Sequence, residues 1–112
     1  MNLKEKMIQY VGSSRRKSVY VPEFDDSIYF NPITVLQMDK IMTLSQGSSG
    51  AIHIWTIIEK AEHEDGSKAF GLEDKPFLEQ LDWAVVTRIT GEMLKTSSVD
   101  ELKKTSEKTG SD

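Results

Sequence analysis

The 112-residue sequence contains no cysteine. This absence excludes disulfide bonds, a thiol nucleophile and thiolate metal ligands, and it is typical of proteins in a reducing compartment. Histidine is scarce as well, and the two present, His53 and His63, lie far apart in the chain. A helical metal site needs histidines about three to five residues apart on one face. We therefore expect both histidines at the solvent-exposed surface, and we predict no metal or cofactor site.

Long hydrophobic runs are also absent. No stretch of about eighteen apolar residues exists, and the N-terminus lacks the apolar segment of a signal peptide. The sequence therefore predicts no membrane association, and we expect the protein to stay in the cytoplasm where it is made. Catalytic motifs are missing too, because no glycine-rich loop follows a strand and neither histidine lies in a recognisable nucleophile context. We expect no catalytic residues and no enzymatic activity.

The remaining composition is that of an ordinary globular domain, with 38% hydrophobic and 29% charged residues. The net charge of −4 is unevenly distributed: residues 1–17 carry five basic side chains and one acidic one, a balance of +4, so the rest carries −8. An acidic body repels phosphate, and we do not expect nucleic-acid binding. Two interpretations of this basic arm stay open. It contacts an acidic partner through Arg15, Arg16 and Lys17, or it is a solvated segment.

Two short β-rich segments follow the basic arm. Apolar residues alternate over Val19–Phe24, and Ile28–Phe30 forms a second run. Asp25, Asp26 and Ser27 lie between them and favour a turn, because their short side chains bond the local backbone. The pattern predicts an antiparallel β-hairpin. Pro22 lacks an amide donor and suits a strand end or an edge, so it indicates a possible interruption of the first strand.

Helices are predicted after the hairpin. Thr34 and Gln37 form a capping box, so a helix is expected over 34–45, and Ser49 can cap a second helix over 49–62. Two further segments, 76–81 and 83–95, are either separate helices or one kinked helix. The acidic turn before them does not fit a calcium loop, since Ala61 and Leu72 would occupy ligand positions. We predict an α+β fold in which the hairpin packs on a small bundle of three to four helices.

The chain divides into three parts. Residues 1–17 form the basic arm, flexible or weakly helical, with Asn2 and Glu5 in the spacing of a helix cap. Residues 18–104 form a single domain, whose last short helix is capped by Ser98 and Glu101. Residues 105–112 contain no apolar side chain and are expected to be a disordered polar tail.

Broad apolar stripes on the predicted second and last helices suggest that the protein associates with itself or with a partner. Each stripe covers roughly half of its helix, more than a small domain easily buries. The edge of the hairpin offers a further route, by strand addition. Our candidate contact residues are Ile52, Trp83, Val86, Ile89, Met93 and Leu94.

The order of these segments resembles the small tail assembly chaperones of long-tailed bacteriophages. Three motifs carry the resemblance: the strand Val21-Pro22-Glu23-Phe24-Asp25, the turn Glu64-Asp65-Gly66 with Phe70, and the apolar helix from Trp83 to Leu94. They span roughly residues 19–102. The long basic arm departs from the family pattern.

The resemblance implies a non-catalytic chaperone in the bacterial host cytoplasm, absent from the mature virion. Its partners would be further copies of itself, the tape measure protein that it coats, and the tail tube protein that replaces it. The resemblance also implies a longer form, made by a ribosomal frameshift near Lys103-Lys104. The alternative is a small adaptor or regulatory domain that binds one folded protein through its hairpin edge or last helix.

Overall fold

A computed structural model describes residues 1–95 of the protein. The predicted cap at Ser98, the polar tail and the Lys103-Lys104 pair lie outside the described residues. The regular elements, in chain order, are α1 (Leu3–Gly12), β1 (Lys17–Val21), β2 (Asp26–Phe30), α2 (Val35–Ser45), α3 (Ser49–Lys60), a 3-10 turn (Leu72–Asp74), α4 (Lys75–Leu78) and α5 (Trp83–Leu94). The predicted α+β class is confirmed.

The hairpin pairs β1 with β2 in antiparallel register, Val19 opposite Ile28 and Val21 opposite Asp26. The prediction extended the first strand to Phe24, and this was wrong. The strand ends at Val21 because Pro22 follows it and the chain turns, with the amide of Phe24 donating to the carbonyl of Val21. Asp25 then adopts a left-handed φ of 48°, and β2 begins one residue later, two residues before the predicted start.

The capping box predicted for α2 is confirmed. The Thr34 hydroxyl accepts from the amide of Gln37 at 3.1 Å, and the Gln37 side chain accepts from the amide of Thr34 at 3.0 Å. The helix α3 begins at Ser49 as the predicted range has it, but Ser48 rather than Ser49 supplies the capping oxygen. It ends at Lys60 instead of Glu62. The last two segments are separate helices, with a turn over 79–82 between them.

Glu62 leaves α3 because its backbone joins the sheet. It exchanges backbone hydrogen bonds with Tyr29 of β2 and forms a second bridge with Lys68. These backbone hydrogen bonds connect the end of α3 to the hairpin. They also occupy the outer edge of β2 at Tyr29, which blocks that position for the strand addition that an adaptor would use.

The core lies between the hairpin, α3, α4 and α5. Its largest side chains with almost no exposed surface are Phe30, Ile57, Leu78 and Ile89. The apolar side predicted for α3 is confirmed, since Ile54, Ile57, Ile58 and Ala61 belong to one buried cluster. Within residues 1–95 no helix is both long and apolar enough to span a bilayer.

Candidate functional site

Three of the predicted contact residues lie in the core. Val86, Ile89 and Met93 are 3%, 2% and 4% exposed, so they are not available to a partner in this conformation. Helical periodicity predicted an apolar stripe on α5 that is wider than the area one neighbouring element could cover. In the structure α5 has more than one neighbour, because it packs on α3 and also contacts β1. The expectation of a surplus apolar surface on α5 is corrected accordingly.

The other predicted contact residues are partly or largely exposed, but they do not form one continuous surface. Trp83 is 60% exposed at the start of α5, where its ring meets the His53 ring edge-on at 5.1 Å between centroids. Ile52 and Leu94 are half-buried. Ile52 lies near the start of α3, and Leu94 lies at the far end of α5 from Trp83.

The arginines of the basic arm make contacts inside the chain. The Arg16 guanidinium donates to the carbonyl oxygens of His63 and Glu64, pairs with the Glu62 carboxylate at 3.5 Å, and lies 4.6 Å from the centre of the Tyr29 ring. Arg15 stacks over the Tyr10 ring at 4.3 Å. Lys17 is half-buried in β1. Arg16 therefore anchors the arm to the acidic turn, and the contact of Arg15, Arg16 and Lys17 with an acidic partner stays a prediction.

The largest exposed apolar surface near the N-terminus is on α1. We call Leu3, Met7, Ile8 and Val11 the α1 face; they are 71%, 59%, 60% and 73% exposed. No residue of α1 is buried, although Asn2 and Glu5 form the expected capping box. The sequence placed three of these side chains on one helix face. It did not show that the body leaves the whole helix uncovered.

A second exposed apolar surface lies on α2. We call Val35, Leu36, Met42 and Leu44 the α2 face; they are 84%, 79%, 47% and 39% exposed. The apolar residues of this helix are only partly buried, since Ile41 is fully buried while Val35 and Met42 are exposed. The reason is that α2 has one extensive neighbour, α3, which covers a narrow side of the helix.

An apolar pocket opens between the tip of the hairpin, the segment 62–81 and α5. We call it the hairpin pocket; its volume is about 280 Å³. Its walls include Val21, Ile28, Ile57, Leu78 and Ile89, with the half-exposed rings of Phe24 and Phe77 at the surface. Asp26, Glu62 and His63 are its polar lining. This pocket could not be predicted from local sequence patterns, because its lining comes from segments that are far apart in the chain.

Ionisable groups do not converge into a reaction centre in residues 1–95. The His53 Nδ1 atom lies 2.6 Å from the Thr90 hydroxyl oxygen, within hydrogen-bond distance, and the same hydroxyl lies 3.0 Å from the carbonyl oxygen of Val86. His53 is thus half-buried rather than exposed as expected, whereas His63 is exposed. No group of three or more His, Asp or Glu side chains in this part of the chain could hold a metal ion.

Ion pairs instead join the elements to one another. Arg88 of α5 donates to the Glu23 carboxylate in the hairpin loop, which lowers the pKa of Glu23 and raises that of Arg88. Hydrogen bonds from the Ser67 hydroxyl and amide lower the pKa of Asp65 in the acidic turn. The α1 face, the α2 face and the hairpin pocket are apolar surfaces, which suit contacts with other proteins.

Comparison with solved structures finds a similar fold in a bacteriophage protein. The tail assembly chaperone of bacteriophage HK97 aligns with 80% of this chain and 95% of its own, with a TM-score of 0.56 and 14% sequence identity. The likeness shows a shared fold. No profile of a known protein family matches the chain, and no curated protein matches it in sequence.

Proposed function

We propose that the protein is a non-catalytic tail assembly chaperone of a long-tailed bacteriophage. It associates with itself and coats the tape measure protein in the host cytoplasm, until tail tube subunits replace it and it leaves the assembling tail. The observation that carries the proposal is the fold shared with the HK97 chaperone over nearly the whole of that chain. The order of sequence motifs, which resembles the same family, supports it independently.

The exposed apolar surface supports a role in covering another protein. A chaperone needs surface that stays apolar without collapsing into its own core, and both the α1 face and the α2 face meet this need. They lie on different helices, and neither contributes a wall to the hairpin pocket. One copy can therefore contact a neighbouring copy and a client protein at the same time.

We assign the α2 face to the tape measure protein. Val35 and Met42 are seven residues apart and follow one side of α2, Leu36 lies about 100° around the helix from Val35, and Leu44 lies on the side opposite Val35. A long helical client presents apolar residues at similar intervals, and two such helices pack side by side through interdigitating ridges. The exposed α2 face gives a helix of this kind about three turns of contact.

Co-expression with the tape measure protein from the same phage genome tests the proposal. We expect the wild-type chain to keep the tape measure protein soluble and to co-purify with it. Leu36→Gln should lower the recovered tape measure protein severalfold, because it removes an apolar contact that is 79% exposed and not part of the core. Leu72→Gln is the matched control, since Leu72 is 66% exposed in the 3-10 turn away from α2.

Two results would contradict the proposal. The first is tape measure protein that aggregates to the same extent with and without the wild-type chain. The second is a strictly monomeric wild-type chain at high micromolar concentration, measured by size-exclusion chromatography with light scattering. Equal effects of Leu36→Gln and Leu72→Gln would leave the chaperone role intact and remove only the assignment of the α2 face.

A further inference from the structure

The α1 face is apolar, and no other element within residues 1–95 packs on it. Every residue of α1 is exposed, including the apolar Leu3, Met7, Ile8 and Val11. A helix of about ten residues is marginal in water on its own, because most helix stability in proteins comes from packing an apolar face. The cap at Asn2 fixes where α1 begins but buries nothing. A stable α1 therefore requires an apolar surface that residues 1–95 of its own chain do not supply.

The hairpin pocket is such a surface. Its volume of about 280 Å³ exceeds the roughly 150 Å³ that admits a benzene ring in an apolar cavity, so it has room for one or two aliphatic side chains. Phe24 and Phe77 are 52% and 50% exposed at its rim, and an apolar helix laid across the pocket would cover both rings. The centre of the α1 face is Met7, a flexible side chain that adapts to irregular pockets.

Charge favours the same pairing. The helix α1 carries Lys4 and Lys6 against Glu5, a balance of +1, and Lys4 borders the α1 face. Asp26 lines the hairpin pocket, while Asp25 and Asp65 are close in the chain to lining residues. None of these three carboxylates forms an ion pair within residues 1–95. Opposite charges around an apolar contact steer the two surfaces together and fix their register.

The short connection to Arg16 favours the pocket of another copy over a chain's own. Arg16 holds the arm to the segment 62–64, and only Ser13, Ser14 and Arg15 separate it from α1. Ser13 continues in extended backbone, with φ −81° and ψ 152°, and α1 lies uncovered. We infer that the α1 face of one copy packs on the hairpin pocket of a second copy, with Met7 entering the pocket. This inference rests on the proposed self-association and names the two surfaces that form it.

A pair of charge-matched variants of the full chain tests the role of α1. Met7→Asp places a carboxylate at the centre of the α1 face, whereas Gln9→Asp adds the same charge on the opposite side of the helix. Neither position is buried, so the body should stay folded in both. We expect Met7→Asp to raise the dissociation constant of self-association by about tenfold or more and Gln9→Asp to change it by less than about threefold.

A second pair of variants tests the pocket. Ala69→Phe fills the hairpin pocket from its wall, and Phe24→Ser removes a half-exposed ring from its rim without touching the core. Near-ultraviolet circular dichroism verifies that each variant is folded. We expect both to weaken self-association, Ala69→Phe as strongly as Met7→Asp. Should Ala69→Phe fail to fold, Phe24→Ser alone decides whether the pocket takes part.

Mixing the two classes of variant gives the decisive measurement. Met7→Asp keeps an intact pocket and Ala69→Phe keeps an intact α1, so each should be monomeric alone, while a mixture should form a one-to-one dimer by light scattering. That dimer would also exclude packing of α1 into the pocket of its own chain. If Ala69→Phe does not fold, Phe24→Ser replaces it in the mixture.

Two outcomes overturn the inference while leaving the proposed function standing. One is Met7→Asp that associates as tightly as the wild type, and the other is a mixture that stays monomeric although the wild type associates. A monomeric wild type would overturn the inference and the proposed self-association together. Co-purification with the tape measure protein reports on client binding separately.

Discussion

The burial of Lys60 differs from what the helical periodicity of α3 predicts. The periodicity of α3 put it on the polar side, yet only 6% of it is exposed, because α2 covers that side. Its ammonium group donates to the Gln37 side-chain oxygen at 2.8 Å and to the Pro32 carbonyl at 3.3 Å. Burial lowers the pKa of Lys60, and the nearby carboxylates of Glu62 and Glu59 partly oppose this effect.

Replacing Lys60 should therefore destabilise the fold. Lys60→Ala removes the donor to two half-buried oxygens, of which the Pro32 carbonyl loses its ammonium partner and the Gln37 oxygen keeps only the Thr34 amide, and we expect a loss of about 2 kcal/mol in the free energy of unfolding, measured by urea denaturation. Lys40→Ala is the control, because the Lys40 pair with Glu59, 3.0 Å long, is largely exposed on the Lys40 side. We expect about 0.5 kcal/mol or less there. Equal losses would contradict a structural role for the buried ammonium.

Glu23 makes a pH-dependent contribution to stability. Its pKa is lowered from 4.5, first by the hydrogen bond from Arg88. A lowered folded-state pKa means that the contribution is present above pH 4.5 and is lost as the pH falls through the lower value. Glu23→Gln should therefore lower the urea midpoint at pH 7, and the difference from wild type should shrink towards pH 3. Asp39→Asn, at a carboxylate with no ion pair in residues 1–95, should show no such trend.

At the scale of elements, the features that local chemistry determines could be predicted. The capping box at Thr34 and the positive φ of 92° at Gly66 depend on neighbouring residues alone, and both are present. The hairpin was predictable for the same reason, apart from the strand end at Val21. The apolar side of α3 could also be predicted, since the residues that share a helix face follow from its period.

The features that depend on distant segments could not be predicted. Periodicity identifies an apolar face but not how many neighbours cover it. Thr56 and Lys60 are buried because α2 packs over the less apolar side of α3, while the apolar residues of α1 are exposed because no other element between residues 1 and 95 packs on them. The hairpin pocket needs Val21, Phe77 and Ile89 to meet across long stretches of chain. For the same reason, periodicity did not show that Val86, Ile89 and Met93 of α5 are buried.

The cap of α2 gives a prediction at this scale. Thr34→Ala removes the oxygen that accepts from the amide of Gln37, and we expect a loss of about 1 kcal/mol in the free energy of unfolding. Thr43→Ala, at an exposed position inside the same helix, makes the same chemical change without touching a cap. Thermal and urea unfolding of the two variants measure the difference. A Thr43→Ala variant that is as unstable as Thr34→Ala would show that the cap is not the cause.

Across the part of the molecule that the structure describes, two exposed apolar surfaces lie on helices outside the main buried cluster, while Phe24, Phe77 and Trp83 are exposed on or beside the elements that form it. The hairpin, α3, α4 and α5 form the buried cluster, whereas the α1 face and the α2 face project from it on separate helices. The charge is segregated as well, with a basic arm on an acidic body. A molecule with this division can expose contact surface without weakening its own fold, because the contact residues contribute little to the core.

The edge-on contact between His53 and Trp83 also makes Trp83 an intrinsic fluorescence probe of the molecule. The rings lie 5.1 Å apart and nearly perpendicular, and they belong to α3 and α5, which only tertiary packing brings together. Trp55 is the other indole of the chain, so Trp55→Phe leaves a single fluorophore at position 83. Its emission would change as the two helices separate, and as any partner covers the 60% of Trp83 that solvent now reaches. Fluorescence from one native residue can thus follow folding and assembly without an attached dye.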